Sequence, residues 1–235
     1  NKMNYYIIKP ASDNSETGSV YPQVQKMSPG YDYMATNSVH ALSREVEDFP
    51  SYEPNLDYFV VKEKAKLSDL LSVAVVYGGL LISSRFKALL EQFHLPKHRF
   101  YPAKVNHKKQ FHEYYWMHII SDFSDFIDYP DSTFIIYYNY SHTLGTIAIS
   151  SREELEEKRK KVKEDNPGKT ITIWAKELHL KNSFDRTLDL FNIANFDSNT
   201  YISHSLKETI HKEKITGCEI TSAKNVFINQ LGNYY

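Results

Sequence analysis

A single cysteine, Cys218, in 235 residues excludes an internal disulfide and every cysteine-rich metal site, and makes a reducing compartment the default. Charge of one sign is missing too. Lys and Arg number 28 against 29 Asp and Glu, a net charge of -1, so no global field gathers nucleic acid or an anionic membrane. No apolar run approaches the roughly 18 residues of a bilayer span. The longest, Leu70 to Ile82, is broken by Ser72 and by Gly78-Gly79. Met3 to Pro10 is too short for a signal peptide and no small-residue cleavage site follows it, while Met3, behind Asn1 and Lys2, holds the position of an initiator. The expectation is a cytoplasmic protein with no membrane segment. No Gly-x-Ser-x-Gly elbow, Walker loop or Gly-x-Gly-x-x-Gly turn occurs. With 41% hydrophobic residues, 8 Gly and 9 Pro, disorder and collagen-like repetition are excluded as well.

Aromatic residues are abundant: 18 Tyr, 13 Phe and 2 Trp. Tyr5 to Ile8 reads as a strand stopped by Pro10. Ala11 to Asn55 is rich in Ser, Asn, Asp and Pro and reads as irregular chain wrapped over the core, anchored by Tyr21, Tyr31, Tyr33 and Tyr52. Residues 1–56 are therefore expected to form an N-terminal arm, and 57–235 a single α+β domain. Tyr58 to Val61 reads as strand, Leu67 to Leu71 as a helical turn, and Gly78-Gly79 as a bend before Leu80 to Ile82. Ser83 caps a helix whose Phe86, Leu89, Leu90 and Phe93 share one face. Phe100 to Val105 and Tyr114 to Ile120 are strands, and Asn139 to His142 is a hairpin turn between Phe134 to Tyr138 and Leu144 to Ile149. Ser151 to Glu154 is a capping box opening a charged surface helix with Leu155 and Val162 on its buried edge. Glu154/Lys158, Glu156/Lys160 and Glu157/Lys161 support it, and Asn166-Pro167-Gly168 stops it. Strands at 170–174 and 188–193, a helix opened by Ser203 and ended near Gly217, and strands at 219–221 and 226–228 complete the chain. The fold class is α+β: mainly antiparallel, twisted sheet with a few short helices.

One offset recurs. At a shift of 120 residues Ile82-Ser83 meets Ile202-Ser203, Lys87 meets Lys207, and Ala103-Lys104 meets Ala223-Lys224. Apolar positions follow the same shift, Phe86 with Leu206, Leu90 with Ile210 and Phe100 with Ile220, so a strand-helix-strand unit is expected to occur twice.

Several motifs appear in a fixed order: Leu81-Ile82-Ser83-Ser84-Arg85-Phe86-Lys87, Asp125-Phe126-Ile127-Asp128 with Ser132, Leu188 to Ile193, Tyr201 to Lys207, and Ile215 to Ile220. In that order the chain resembles the immunity proteins of bacterial polymorphic toxin systems, in particular the groups numbered eleven and forty-three. The resemblance covers roughly 57–227, with the charged helix as an insertion and the first 55 residues matched loosely. It implies a non-enzymatic protein that protects its producer by binding and occluding a cognate toxin. It brings no catalytic residues, no cofactor and no metal, and leaves the oligomeric state open.

The residues themselves offer a candidate contact surface in the acidic ladder Asp122, Asp125, Asp128 and Asp131 with the neighbouring Tyr137, Tyr138 and Tyr140. Carboxylates in such a row suit a basic partner, whereas the glycine and terminal glutamate of a cation loop are absent. Tyrosine suits an interface because an apolar ring carries a polar tip. The ten histidines show no zinc spacing, and Cys218 reads as a small buried hydrophobe. Two other functions fit the residues: a carbohydrate or single-stranded nucleic-acid binding module using tyrosines with Lys104, His107, Lys108 and Lys109, and a hydrolase without a recognisable motif.

Overall fold

The computed structural model describes residues 5–12 and 14–229; Met3, read as an initiator, lies outside the described residues with Asn1 and Lys2. In chain order the elements are β1 (Tyr6–Pro10), β2 (Val24–Met27), α1 (Val39–Ser43), β3 (Tyr58–Val61), β4 (Leu70–Leu71), β5 (Gly79–Ser83), α2 (Ser84–Leu90), β6 (His98–His107) and β7 (Gln110–Ile119). A 3₁₀ turn at Ser124–Phe126 leads to β8 (Thr133–Tyr138), β9 (His142–Ile147), α3 (Arg152–Asp165), β10 (Ile171–Leu180), β11 (Leu190–Asn192), β12 (Thr200–Ile202), α4 (His204–Lys212), β13 (Cys218–Ser222) and β14 (Val226–Ile228). The fold is α+β and rich in antiparallel pairing. Its strands divide among three sheets, ordered β11-β12-β1-β13, β14-β10-β8-β9 and β2-β3-β6-β7-β5-β4.

Local chemistry explains most boundaries. Ser83, Ser151 and Ser203 each hold extended backbone and accept a hydrogen bond from the amide three residues on, at 3.1 Å in all three cases, which satisfies an otherwise orphaned donor of α2, α3 and α4. The β6–β7 hairpin closes on Lys108 and Lys109, both at positive φ, the turn whose twist matches that of paired strands. In α3 the expected Glu154–Lys158 pair forms at 2.7 Å, but Lys160 and Lys161 turn to Glu164 and Asp165, and Arg152 reaches Glu156. Leu155 is buried and Val162 packs against the same cluster, as the helix pattern requires.

Two readings of the N-terminal half need correction. Residues 67–71 are not helical: Leu70-Leu71 is β4, paired with Ile82 and Leu81 of β5. A run of five residues pays the nucleation cost of a helix for a single bond, and the neighbouring strand supplies partners instead. Residues 11–55, expected to be irregular, contain β2 and α1, and Val24, Met27, Val39 and Leu42 are buried in the main core. Tyr31 and Tyr33 do act as anchors. The Tyr31 hydroxyl donates to the Asn55 carbonyl at 2.6 Å and accepts from the Val39 amide at 2.9 Å, and the Tyr33 hydroxyl accepts from the Met27 amide at 2.7 Å. Tyr52 reaches Glu45. Tyr21, expected as a fourth anchor, is instead 53% exposed.

The offset of 120 residues is a repeat in three dimensions. β4 pairs with β5 through Leu70↔Ile82 and Leu71↔Leu81, and β11 pairs with β12 through Leu190↔Ile202 and Phe191↔Tyr201. Each residue is displaced by 120. The next strand in each unit comes from a different part of the chain: Tyr115, Trp116 and Met117 of β7 face Ile82, Leu81 and Leu80, while Tyr6, Ile7 and Ile8 of β1 face Ile202, Tyr201 and Thr200. The fourth strand agrees, since Phe100 faces Met117 and Ile220 faces Ile8. The order β4-β5-β7-β6 thus recurs as β11-β12-β1-β13, with the N-terminal strand standing where β7 stands in the first unit. α2 and α4 pack into one shared core with Phe86, Leu90, Leu206 and Ile210.

Aspartates lock the two units together. Asp69 and Asp189, also 120 apart, each accept a bond from the serine hydroxyl fourteen residues on, Ser83 and Ser203, at 2.7 Å. Each then reaches across: Asp69 Oδ2 accepts from the Thr216 amide beyond α4, and Asp189 Oδ2 from the His94 amide beyond α2, both at 2.8 Å. Arg85 adds a third link, donating to Asp69 at 2.6 Å and to the Glu213 and Lys214 carbonyls.

Candidate functional site

The acidic ladder is held mostly by its own chain. Asp122 Oδ1 accepts from the amide and hydroxyl of Ser124, at the start of the 3₁₀ turn. Asp128 accepts from the Asp131 amide and from Asn229 Nδ2 at 2.7 Å. Asp125 is exposed and pairs with Arg152 at 3.4 Å, and Asp131 is exposed. Asp125 and Asp128 share a polar cavity of about 490 Å³ with Ser150, Arg152 and Lys181, so cations already stand beside the carboxylates there.

The tyrosines occupy the far end of β8. Five rises of about 3.3 Å put roughly 17 Å of strand between Thr133, next to the ladder, and Tyr138. The structure therefore gives two patches where the sequence suggested one. Alternation sends Tyr137 and Tyr138 to opposite faces, as expected. Tyr138 lies under the Lys169 ammonium, 5.6 Å from its ring centre. Tyr137 lines a cavity of about 270 Å³ with Tyr140, Trp174, Phe196, Asp197 and Ser198, and Tyr140, at the hairpin tip with positive φ, is 82% exposed.

The loop that forms this cavity's wall is fixed from below. Asp197 Oδ1 accepts from the Asn199 amide at 3.0 Å, its Oδ2 accepts from the Tyr201 hydroxyl, and Asn225 Nδ2 donates to that hydroxyl at 3.0 Å. Burial pushes the Asp197 carboxyl above the usual aspartate range despite these donors, and burial beside Asp197 pushes the Tyr201 hydroxyl up as well.

A second cavity, about 400 Å³, adjoins the first at Ser198. It lies between β11–β12 and β4–β5, with Trp116 and Asn192 in its walls, and Tyr77 and Tyr21, 66% and 53% exposed, among its lining residues. Sequence reading missed it because its walls come from both repeat units, Ile8 to Pro10 of β1 and Trp116 of β7 among them. The signal that was present is Gly78-Gly79: a Cβ on Gly79 would lie 2.2 Å from the Met117 carbonyl oxygen and 2.8 Å from Trp116 Cζ2, so only glycine lets the strand pass over that ring.

Other chemistry-bearing residues are dispersed. Among the described residues no group of three or more His, Cys, Asp and Glu stands together as a metal site. His94 pairs with Asp185 at 3.0 Å, His98 faces the Pro96 carbonyl, and His118 is buried, its pKa lowered by that burial. Burial, with Asp69 and Glu16 nearby, pushes the Cys218 thiol up to about 12, which leaves it protonated and unreactive at neutral pH. Lys104, His107, Lys108 and Lys109 cluster at the β6–β7 hairpin, in a different sheet from Tyr137 to Tyr140. Among the described residues no helix is long and apolar enough to cross a membrane.

Comparison with known proteins adds to this geometry. The family model described as immunity protein family (Imm11) matches residues 4–225, which takes in the N-terminal segment that the motifs alone cover loosely. No curated protein matches the chain.

Proposed function

The chain belongs to the Imm11 immunity protein family, and from that premise we propose that it binds a cognate bacterial toxin and neutralises it by occlusion, through the aromatic face formed by the two adjoining cavities. The observation that carries this reading is the pairing of concavity with exposed aromatic rings. Tyr140, Tyr77 and Tyr21 stand more than half exposed around pockets that meet at Ser198. Large rings beside desolvated pockets are the usual anchors of protein interfaces, and the loop locked by the Asp197–Tyr201 network gives the pocket beside Tyr140 a fixed wall. The exposed carboxylates of Asp125 and Asp131 form a separate patch that suits basic groups on the toxin. Inhibition by contact requires no group transfer, in keeping with a thiol held protonated. A cytoplasmic setting accords with the single cysteine, which is unpaired and, rather than buried as its neighbours in sequence suggested, half-buried.

The test is capture of partners from the native host by tagged wild type and by Tyr77→Ala/Tyr140→Ala, two exposed positions whose loss leaves the core intact. Wild type is expected to retain a toxin-domain protein in stoichiometric amount and the double variant at least tenfold less. Undiminished capture by a double variant that melts like wild type refutes the assigned face.

A further inference from the structure

Aromatic rings and one carboxylate make up most of the cavity beside Tyr140. In the β8–β10 register Tyr137 faces Thr172 and Ile135 faces Trp174, and residues two apart along a strand share a face, so Tyr137 and Trp174 are diagonal neighbours on one face of the sheet. Phe134, Ile136 and Ile173, on the opposite face, pack in the core, which turns these two rings outward. Both are half-buried and open to the cavity, and the exposed Tyr140 joins them from the hairpin tip. The Phe196 carbonyl accepts from the Ala175 amide at 2.9 Å, which holds the loop carrying Asp197 against β10.

Asp197 lines this cavity without a counter-ion. Half-buried, it is bonded by neutral donors: the Asn199 amide at 3.0 Å, the Tyr201 hydroxyl and, at 3.5 Å, Asn225 Nδ2. Carboxylates taken out of water are otherwise paired with cations, and burial accordingly holds this one above the usual aspartate range. No Lys, Arg or His is among the lining residues. Arg159, 5.8 Å from the Phe196 ring centre, directs its guanidinium at the Ile173 and Asn195 carbonyls, and Lys169 lies over Tyr138, which alternation puts on the opposite face.

The lining specifies the occupant's charge. Ring faces carry negative potential and attract a cation, and an unpaired carboxylate beside them adds to that attraction. An anion is repelled, and a neutral group leaves Asp197 without its counter-charge. The volume of about 270 Å³ lies just under that of drug-sized sites, so it suits one side chain with a compact head and a slender stem.

We propose that this cavity binds an alkylammonium group, and that in the working complex a lysine side chain of the toxin supplies it. The source of the group rests on the immunity reading above; the recognition chemistry does not.

The experiment uses the whole protein, ¹⁵N-labelled, at neutral pH and constant ionic strength, with the Trp174 indole N–H resonance assigned by its loss in Trp174→Phe. Butylammonium chloride is titrated against 1-butanol, which has the same number of heavy atoms and no charge. The ammonium is expected to shift the Trp174 resonance saturably and to bind at least tenfold tighter than the alcohol, because only the cation gains from ring faces and carboxylate together. Asp197→Asn, which keeps the shape and removes the charge, is expected to weaken the ammonium about fivefold and the alcohol less than about twofold. Tyr140→Ala, at the exposed hairpin tip, is expected to weaken the ammonium about threefold. An absent or unsaturable shift, or equal binding of the two probes to wild type, overturns the proposal, and that comparison decides even if Asp197→Asn fails to fold. In complex with the captured toxin the Trp174 resonance is expected to stop responding to butylammonium, and a response as large as in the free protein overturns the toxin as source of the group. Probe selectivity without toxin capture sinks the immunity reading, and the source with it, but leaves the recognition chemistry standing; toxin capture without probe selectivity sinks this proposal alone.

Discussion

Replacing Asp69 by alanine is expected to destabilise the fold by about 3–5 kcal/mol, against about 1–2 kcal/mol for the equivalent change at Asp189. The two residues play the same part in the two repeat units, yet their surroundings differ. Asp69, almost fully buried, accepts from the Thr216 amide and hydroxyl, the Ser83 hydroxyl and the Arg85 guanidinium. Its loss strands a partly buried amide, and Arg85 loses its counter-ion. Asp189 accepts only from the Ser203 hydroxyl, which is free to rotate, and from the His94 amide in an exposed setting where water substitutes. With a urea slope of roughly 3 kcal/mol per molar for a chain of this length, the midpoint falls by about 1–1.7 M for Asp69→Ala and by less than about 0.7 M for Asp189→Ala. Acid adds a second readout. Burial raises the Asp69 carboxyl, but the bonds from Thr216, Ser83 and Arg85 outweigh it and hold the pKa below the usual aspartate value. A folded pKa below the unfolded one contributes stability above about pH 3.9 that is lost as pH falls through the folded value, so the gap between wild type and Asp69→Ala narrows in that window. An Asp189→Ala loss equal to or larger than that of Asp69→Ala would refute the reasoning.

Asp197 runs in the opposite direction. Its folded pKa is raised, so its contribution is fully present below the unfolded value and is lost as pH rises through the folded one. Urea midpoints between pH 3.5 and 7 are expected to show the margin of wild type over Asp197→Asn shrinking as pH rises, and a widening margin would contradict the assignment. Cys218, with its thiol pushed up to about 12, is expected to react with a thiol reagent at pH 8 roughly 10³-fold more slowly in the native protein than in urea. Equal rates would show that the thiol is neither buried nor protonated.

Local chemistry made much of the fold legible from residues alone. Serine caps, hairpin turns and alternation locate most strands and α2, α3 and α4, since each depends on neighbours within a few positions. The repeat was visible only where both copies run in the same chain order. Tyr6-Ile7-Ile8 and Tyr115-Trp116-Met117 occupy the same place in their units but stand on opposite sides of the shared motif in sequence, so a fixed offset passes over them. Extending the offset backwards to Asp69-Leu70 and Asp189-Leu190 would have found the locking aspartates. Tyrosine abundance misled about surface: many hydroxyls pin backbone instead, as Tyr114 does at the Ser68 carbonyl and Tyr129 at the Ser124 carbonyl. The ion pairs of α3 were ambiguous because Lys160 and Lys161 each have an acid both four before and four after them, and capping chemistry decides only the first turn. The Trp116 cavity left only Gly78-Gly79 as a trace, because its walls are far apart in sequence.

The most direct test of occlusion through the aromatic face is hydrogen exchange of the protein free and bound to its captured toxin. Slowed exchange at the hairpin tip 138–142, in the loop 196–199 and along 72–80 is the result this account predicts. Slowing confined to the β6–β7 hairpin at 107–110 or to α3, with those three segments unchanged, would contradict it.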